Sequence, residues 1–341
     1  MMRLFRPSVV VCAAWVLAMT CSFCVAQQQQ QQLPNSPTPQ PSGDKPLSRT
    51  SPSPAGAPSP SAAQPAPSTA PPSTEQQSPP AKEKVIIPAS AERHFHQAVQ
   101  YEKEGDAEGA ISEYRDAIKE FPDYAAAHYN LGRLYLDLRG YANAITEFNE
   151  AIRLHPDDAN AHNNLGLALK HNGDFAGAIA QYREAVVLDP KMASAQNNLA
   201  NVLYARRDLA GAIKHYRSAL ELNPKSAQTH MNLGSALDDA GKHDDAIAEY
   251  KEALKLEPRN ASIHYNLSIV YQRKKDMPSA IAELKEAAKL SPDWPTPHIM
   301  LTKLLKDSDP KSAFGECMVA DGLTHDAKLH DQCMELQKKA Q

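Results

Sequence analysis

A chain of 341 residues with a formal net charge of −4 carries no basic excess to set against a phosphate backbone, which excludes the usual chemistry of nucleic-acid binding. Sixteen of its 27 prolines lie in residues 27–90, where aromatic side chains are absent, so that stretch cannot share a core with the remainder of the chain. Three successive compositions result: a short apolar leader, a proline-rich linker and a long body of regular helical pattern.

Residues 1–26 begin with Arg3 and Arg6, run without charge from Ser8 to Val25, and end in Cys24-Val25-Ala26 before Gln27. A positive start, an apolar middle and a small-x-small end read as a secretory signal peptide cleaved after Ala26, giving a secreted or periplasmic protein without further membrane contact. The alternative is an uncleaved anchor over residues 8–25, since 18 uncharged residues can just span a bilayer. Cleavage removes Arg3 and Arg6, moving the net charge from −4 to −6, and takes Cys12, Cys21 and Cys24 with it. The spacing of Cys21-Ser22-Phe23-Cys24 imitates a redox motif, but it lies inside the leader and reads as accidental. Residues 27–90 open on six glutamines and continue in Pro, Ser, Ala, Thr and Gln, a composition that predicts a disordered linker. As a flexible coil it would reach roughly 40 Å, and as extended polyproline up to roughly 190 Å.

From residue 91 the chain repeats. Pro122, Pro156, Pro190, Pro224, Pro258 and Pro292 stand 34 residues apart, the period of a two-helix solenoid unit. Counting back to position 1 of each unit gives Ala91, Ala125, Ala159, Ala193, Ala227 and Ala261. Position 20 is then always Ala and position 21 always Ile; position 27 is always Ala; position 8 stays small (Ala98, Gly132, Gly166, Ala200, Gly234, Ser268). Position 24 carries Tyr114, Phe148, Tyr182, Tyr216, Tyr250 and Leu284. Spacings of 3, 4 and 7 put these residues on one stripe of each helix, and small residues on facing positions let two antiparallel helices approach closely. The proline cannot continue a helix interior, so it ends the second helix, B, and leads into the next first helix, A. Asp157 or Asp158, Ser226 and Asn260 stand where helix A begins and can cap it.

This small–aromatic–small–proline pattern resembles the tetratricopeptide repeat over residues 91 to about 305. The resemblance implies an all-α, right-handed superhelical solenoid: six units and a seventh helix A over 91–306. Position 4, aromatic in many members, departs from the family with His94, His128, His162, Gln196, His230 and His264. After Lys306 the phase is lost, and residues 307–341 read as closing helices that cover the last apolar face, as a solenoid end requires. Cys317 and Cys333, the pair left once the leader is removed, predict a disulfide between those helices in an oxidising compartment.

Position 6 is the candidate binding column: Asn130, Asn164, Asn198, Asn232 and Asn266. Asparagine is a mediocre helix former, so five at one register need a reason other than propensity. In the tetratricopeptide family helix A lines the inner face, which would set these amides in a strip. A side-chain amide has two donors and an acceptor and can pair with both backbone groups of an extended strand. The tracts His162-Asn163-Asn164-Leu165-Gly166 and Gln196-Asn197-Asn198-Leu199-Ala200-Asn201 look like the asparagine ladder in the repeats of O-linked N-acetylglucosamine transferases. That similarity adds Asn163, Asn197 and Asn201 to the strip, while Arg133 and Lys170 on the same helices offer local charge. The bland alternative is that the asparagines only bridge neighbouring helices.

A terminal-carboxylate clamp is not expected, because no lysine stands at position 2 or position 5. The histidines of position 4 sit about 10 Å apart on successive helices and cannot share a metal ion that needs its nitrogens near 2.0–2.1 Å; packing is the expected role. No glycine loop for phosphates, no G-x-S-x-G elbow and no H-E-x-x-H helix is present, so neither an enzyme nor a cofactor is expected. The expected function is a scaffold that binds extended segments of other proteins in the cell envelope of a bacterium. A structural oligomerisation module and a substrate-presenting partner of a separate glycosyltransferase are the alternatives.

Overall fold

The computed structural model describes residues 86–340; the leader, its reading as an anchor and nearly all of the linker fall on residues outside these. The described residues form fifteen α-helices and no strand. They are α1 (Ala89–Glu104), α2 (Ala107–Glu120), α3 (Ala125–Asp137), α4 (Tyr141–Leu154), α5 (Ala159–His171), α6 (Phe175–Leu188), α7 (Ala193–Ala205), α8 (Leu209–Leu222), α9 (Ala227–Asp239), α10 (His243–Leu256), α11 (Ala261–Arg273), α12 (Met277–Leu290), α13 (Pro295–Leu305), α14 (Pro310–Thr324) and α15 (Ala327–Ala340). Odd-numbered helices up to α13 are the A helices and even-numbered ones the B helices. Each A helix packs most extensively on the B helix that comes after it, and each B helix packs less extensively on the next A helix, which makes an all-α solenoid. The first helix starts at Ala89, two residues before the expected Ala91.

Why the pairs close is visible at position 8. A Cβ placed on Gly166 would sit 2.8 Å from the Tyr182 ring, and Gly132 and Gly234 meet Phe148 and Tyr250 almost as tightly. The ring of helix B therefore lies directly on the backbone of helix A. Phe148, Tyr182 and the alanines of positions 20 and 27 around them are at most 3% exposed. Burial of one such ring stabilises by roughly 1.5–3 kcal/mol, more than any single polar contact in the unit.

The turn from A to B is the same in six units. Position 15 has positive φ throughout: Gly105 (80°), Arg139 (60°), Gly173 (90°), Arg207 (65°), Gly241 (75°) and Lys275 (62°). Glycine takes this left-handed conformation freely, whereas a side chain makes it strained. In four of the units helix B then begins on an aspartate that accepts from the backbone N–H three residues on. Asp106, Asp174 and Asp208 cap Gly109, Gly177 and Gly211, and Asp276 caps Ser279. Helix A is capped in the same way by Asp158, Ser226 and Asn260 in three units.

After α13 the structure departs from the sequence reading. The phase is shifted by one residue, not lost. In the earlier turns the backbone N–H of position 16 reaches back five residues, as Asp174 does to Leu169; in the last turn Asp309 reaches back four, to Leu305. The missing residue is the one with positive φ. Ala313, Cys317 and Ala320 then fall at the equivalents of positions 20, 24 and 27, and all three are fully buried. Helix α14 is thus the B helix of a seventh complete pair, with the Cys317 sulfur standing where five of the other units place a ring. That sulfur is bonded to Cys333 of α15, with the two Cα atoms 5.5 Å apart. Leu329, Cys333 and Leu336 turn the apolar side of α15 onto α14.

Lys275→Gly should raise the thermal melting midpoint by removing left-handed strain, and Gly173→Ala should lower it, each by about 1 kcal/mol of stability; equal or reversed shifts in a melting experiment would contradict the turn geometry. Reducing the Cys317–Cys333 bond, which closes a loop of sequence separation 16, should remove about 3 kcal/mol from α15. Hydrogen exchange should then accelerate in α15 while the amides of α5–α10 keep their protection.

Candidate functional site

At about 100° per residue, positions 2, 5, 6, 9, 12 and 13 of an A helix fall within an arc of about 120°. In α3, α5, α7, α9 and α11 the arc is largely half-buried or exposed, while positions 4, 7 and 8 face the partner helix. Consecutive A helices from α3 to α11 also touch one another directly, more closely than consecutive B helices do. The solenoid is therefore tighter on its A side.

All five position-6 asparagines lie half-buried on this side. Three of them bond to the preceding A helix. The Asn164 amide donates to the Tyr129 hydroxyl at 3.0 Å, Asn198 to Asn163 Oδ1 at 3.1 Å, and Asn232 to Asn201 Oδ1 at 3.1 Å. Asn163 in turn donates to Asn164 Oδ1 at 3.4 Å. Asn197 accepts from Thr229 at 3.3 Å, and Asn201 also accepts from the Tyr216 hydroxyl at 2.7 Å. Asn130 lies beside the Tyr114 hydroxyl. Asn266 makes no side-chain hydrogen bond to any described residue. Arg133 is held by Glu102 at 2.5 Å, so its charge is matched within the face.

These bonds obey a register. Most rungs between neighbouring A helices join residues 35 or 31 apart, one repeat plus one or minus three; Thr229 with Asn197, 32 apart, and Arg273 with Asp239, 34 apart, are exceptions. Position 5 or position 9 meets position 6 of the next unit, and position 12 meets position 9 or 13. Tyr204 donates to Asp239, and Arg273 donates to Asp238 at 2.6 Å, by the same rule. Asp238 is only 7% exposed, and its second oxygen faces His243 Nδ1 at 2.7 Å. Burial and the neighbouring Asp239 push the Tyr204 hydroxyl up to about 12, so it stays a donor. Each bridging asparagine uses one N–H in its rung; a second N–H and a carbonyl lone pair remain.

The histidine column is a clasp rather than simple packing. Position 4 reaches position 23 of its own B helix. His94, His128, His230 and His264 place Nδ1 within 2.6–2.7 Å of Glu113, Glu147, Glu249 and Glu283. His298 does the same with Glu316 at 2.6 Å, one residue closer in sequence because of the shortened turn. His162 meets Gln181, and in the fourth unit the pair is exchanged, with Gln196 at position 4 and His215 at position 23. In four units Nε2 also faces the carbonyl of the preceding unit's proline, as His128 does with Pro122 at 3.0 Å. The signal was in the sequence: position 23 reads Glu, Glu, Gln, His, Glu, Glu, complementary to position 4. Among the described residues no group of three or more His, Cys, Asp or Glu is placed to hold a metal ion. No described helix is long and apolar enough to cross a membrane.

Carboxylate and carbonyl both only accept, so a ring set between them bonds to both only when it carries two N–H groups and a positive charge. For His128 burial pushes the ring down, but the bonds to Glu147 and the Pro122 carbonyl, with the Glu150 charge, carry the net direction upward. For His264 the Glu283 bond leads, opposed by burial and helped by the Pro258 carbonyl, and the direction is again upward. His215, facing an amide, is pushed down by burial and by Lys214 and Arg183. A raised folded value means that the added stability is fully present below the unfolded value near 6.5 and is lost as pH rises through the folded value. The melting midpoint of the protein should therefore fall more between about pH 6 and about pH 8.5 than that of the His128→Gln, His264→Gln variant. Parallel pH profiles for the two proteins would refute the charged clasp.

Comparison with known families finds matches to tetratricopeptide-repeat models over residues 95–159, 129–193, 164–227 and 261–293, and to a TPR repeat over 239–275. Comparison with curated protein sequences finds no match. Among solved structures, a tetratricopeptide repeat protein from Parabacteroides merdae superposes with a TM-score of 0.54 at 16% identity, covering 72% of this chain and 98% of that one. The pilF structure from Pseudomonas aeruginosa gives 0.51 at 20% identity, covering 60% of this chain and 92% of that one. YrrB, titled a TPR protein with an unusual peptide-binding site, gives 0.48 at 21% identity over 53% of this chain and 93% of its own. The matched repeats span residues 95–227 and 239–293, more than half of the sequence, and the chain belongs to the tetratricopeptide-repeat family of interaction scaffolds.

Proposed function

We propose that the A side of the solenoid is a concave groove that binds extended segments of other proteins and performs no chemistry on them. The observation that carries this reading is the half-buried asparagine column. Five amides recur at one register, and the hydrogen bonds described above leave each bridging one with donor and acceptor capacity toward solvent. Units stacked at about the 10 Å helix-packing distance are matched by about three residues of extended chain at ~3.3 Å each. A bound strand would thus meet one amide per unit along its own backbone. The rungs add to this reading: amides tied to the neighbouring helix are oriented before the ligand arrives, which lowers the ordering cost of binding.

A bacterial cell envelope is the proposed setting. The leader composition supports export, and the Cys317–Cys333 bond is chemistry that persists in oxidising compartments.

Random 12-residue peptides displayed on phage and selected on the immobilised full chain test the groove. Recovered peptides should bind in solution, and Asn266→Ala should weaken them about 5-fold, the loss of roughly one hydrogen bond. Its melting midpoint should be unchanged, because Asn266 forms no rung. Recovery of no peptide, or full affinity in the Asn266→Ala protein, would refute the groove.

A further inference from the structure

In three units position 12 of the A helix bonds to the next unit, at its position 9 or 13. Glu102 takes Arg133 there, Asp238 takes Arg273, and Tyr204 takes Asp239. In the third unit position 12 is Lys170, and the residues offered are Asn201 and Ala205. Neither carries charge, and Asn201 already accepts from Tyr216 and Asn232. Lys170 is half-buried and forms no ion pair or hydrogen bond with any described residue. Burial alone pushes its ammonium down, with no carboxylate near enough to oppose it. The nearby charges are of the same sign: His171 feels both Lys170 and Arg139, and Arg139 forms no ion pair with any described residue. Elsewhere on the face the cations are matched, as Arg133 and Arg273 are. The rung between α5 and α7 is the one that presents an ammonium without its counter-charge.

A half-buried, unpaired cation is costly to keep in a fold, and the cost is relieved when an anion arrives. Lys170 lies within the same arc of α5 as Asn164, so one extended strand can meet both. We propose that Lys170 is a carboxylate subsite, at which an Asp or Glu side chain of the bound polypeptide completes the open rung. This rests on the peptide-binding reading above and gives it a specificity: backbone recognition by the amides, with one acidic residue fixing where along the solenoid the segment sits.

The same phage selection, run in parallel on the full chain and on its Lys170→Gln and Lys170→Glu variants, tests it. Peptides selected by the native protein should align on one acidic residue. Replacing that residue by its amide should weaken binding on the order of 10-fold to the native protein and leave binding to Lys170→Gln unchanged. Lys170→Glu should select Lys or Arg at the aligned place. Melting curves confirm that each variant is folded, and Lys170→Gln, which removes the charge but keeps an unbranched polar side chain, carries the test should Lys170→Glu fail to fold. Peptides without an acidic preference, or the same preference in all three proteins, would overturn the subsite while leaving the groove intact. Absence of any bound peptide would overturn both.

Discussion

Two antiparallel helices can share a core only as thick as their facing side chains allow. In the first five of these units that thickness is set by one ring lying on one small residue. Tyr182 over Gly166 shows how little room is left: even a methyl group would force the ring to move. With the pair held this close, alanine at positions 20 and 27 suffices to fill the remaining space, and the large side chains are left free to pack between units. The cost of losing such packing is several kcal/mol per ring, whereas the polar contacts contribute about 1 kcal/mol each. The apolar seam therefore makes the solenoid, and the polar groups settle how its units are joined.

Polar groups join units in two distinct ways. Clasps from position 4 to position 23 act inside a pair and tie helix A to helix B on the side away from the groove face. Rungs at spacings of 35 and 31 act between pairs and tie successive A helices along that face. The asparagines belong to the second set. Their bridging bonds and a role in recognition are compatible, since an amide has more hydrogen-bonding capacity than one rung consumes.

Much of this was legible in the order of the residues alone. The proline period sets the unit length, and the columns of alanine, isoleucine and aromatic residues determine which helix faces meet. The caps on Asp158, Ser226 and Asn260 were readable from residue type. The seventh pair was hidden because a strict count of 34 fails at a single deletion, and because a cysteine replaced the ring that would have marked it. The clasp was missed because position 4 was read without position 23, although the exchange of Gln196 and His215 is a compensating pair within one sequence. The direction in which Asn164 or Asn198 points its amide is different in kind: it depends on the stagger of neighbouring helices, which no single column encodes. Lys170 was visible as a charge, but its lack of a mate emerges only from the inter-unit spacing.

The division between clasps and rungs bears on how such an array can change over generations. A repeat that carries both halves of its own clasp can be copied or excised whole without leaving a histidine stranded. Its outward-facing contacts have no such autonomy: one oxygen of Asp238 is satisfied by an arginine belonging to the following repeat, and beside a neighbour that lacked one only the contact with His243 would remain. Duplication is thus cheap for the scaffold and expensive for its ordering, so the succession of repeats is itself an inherited trait, written in the charges at their shared borders.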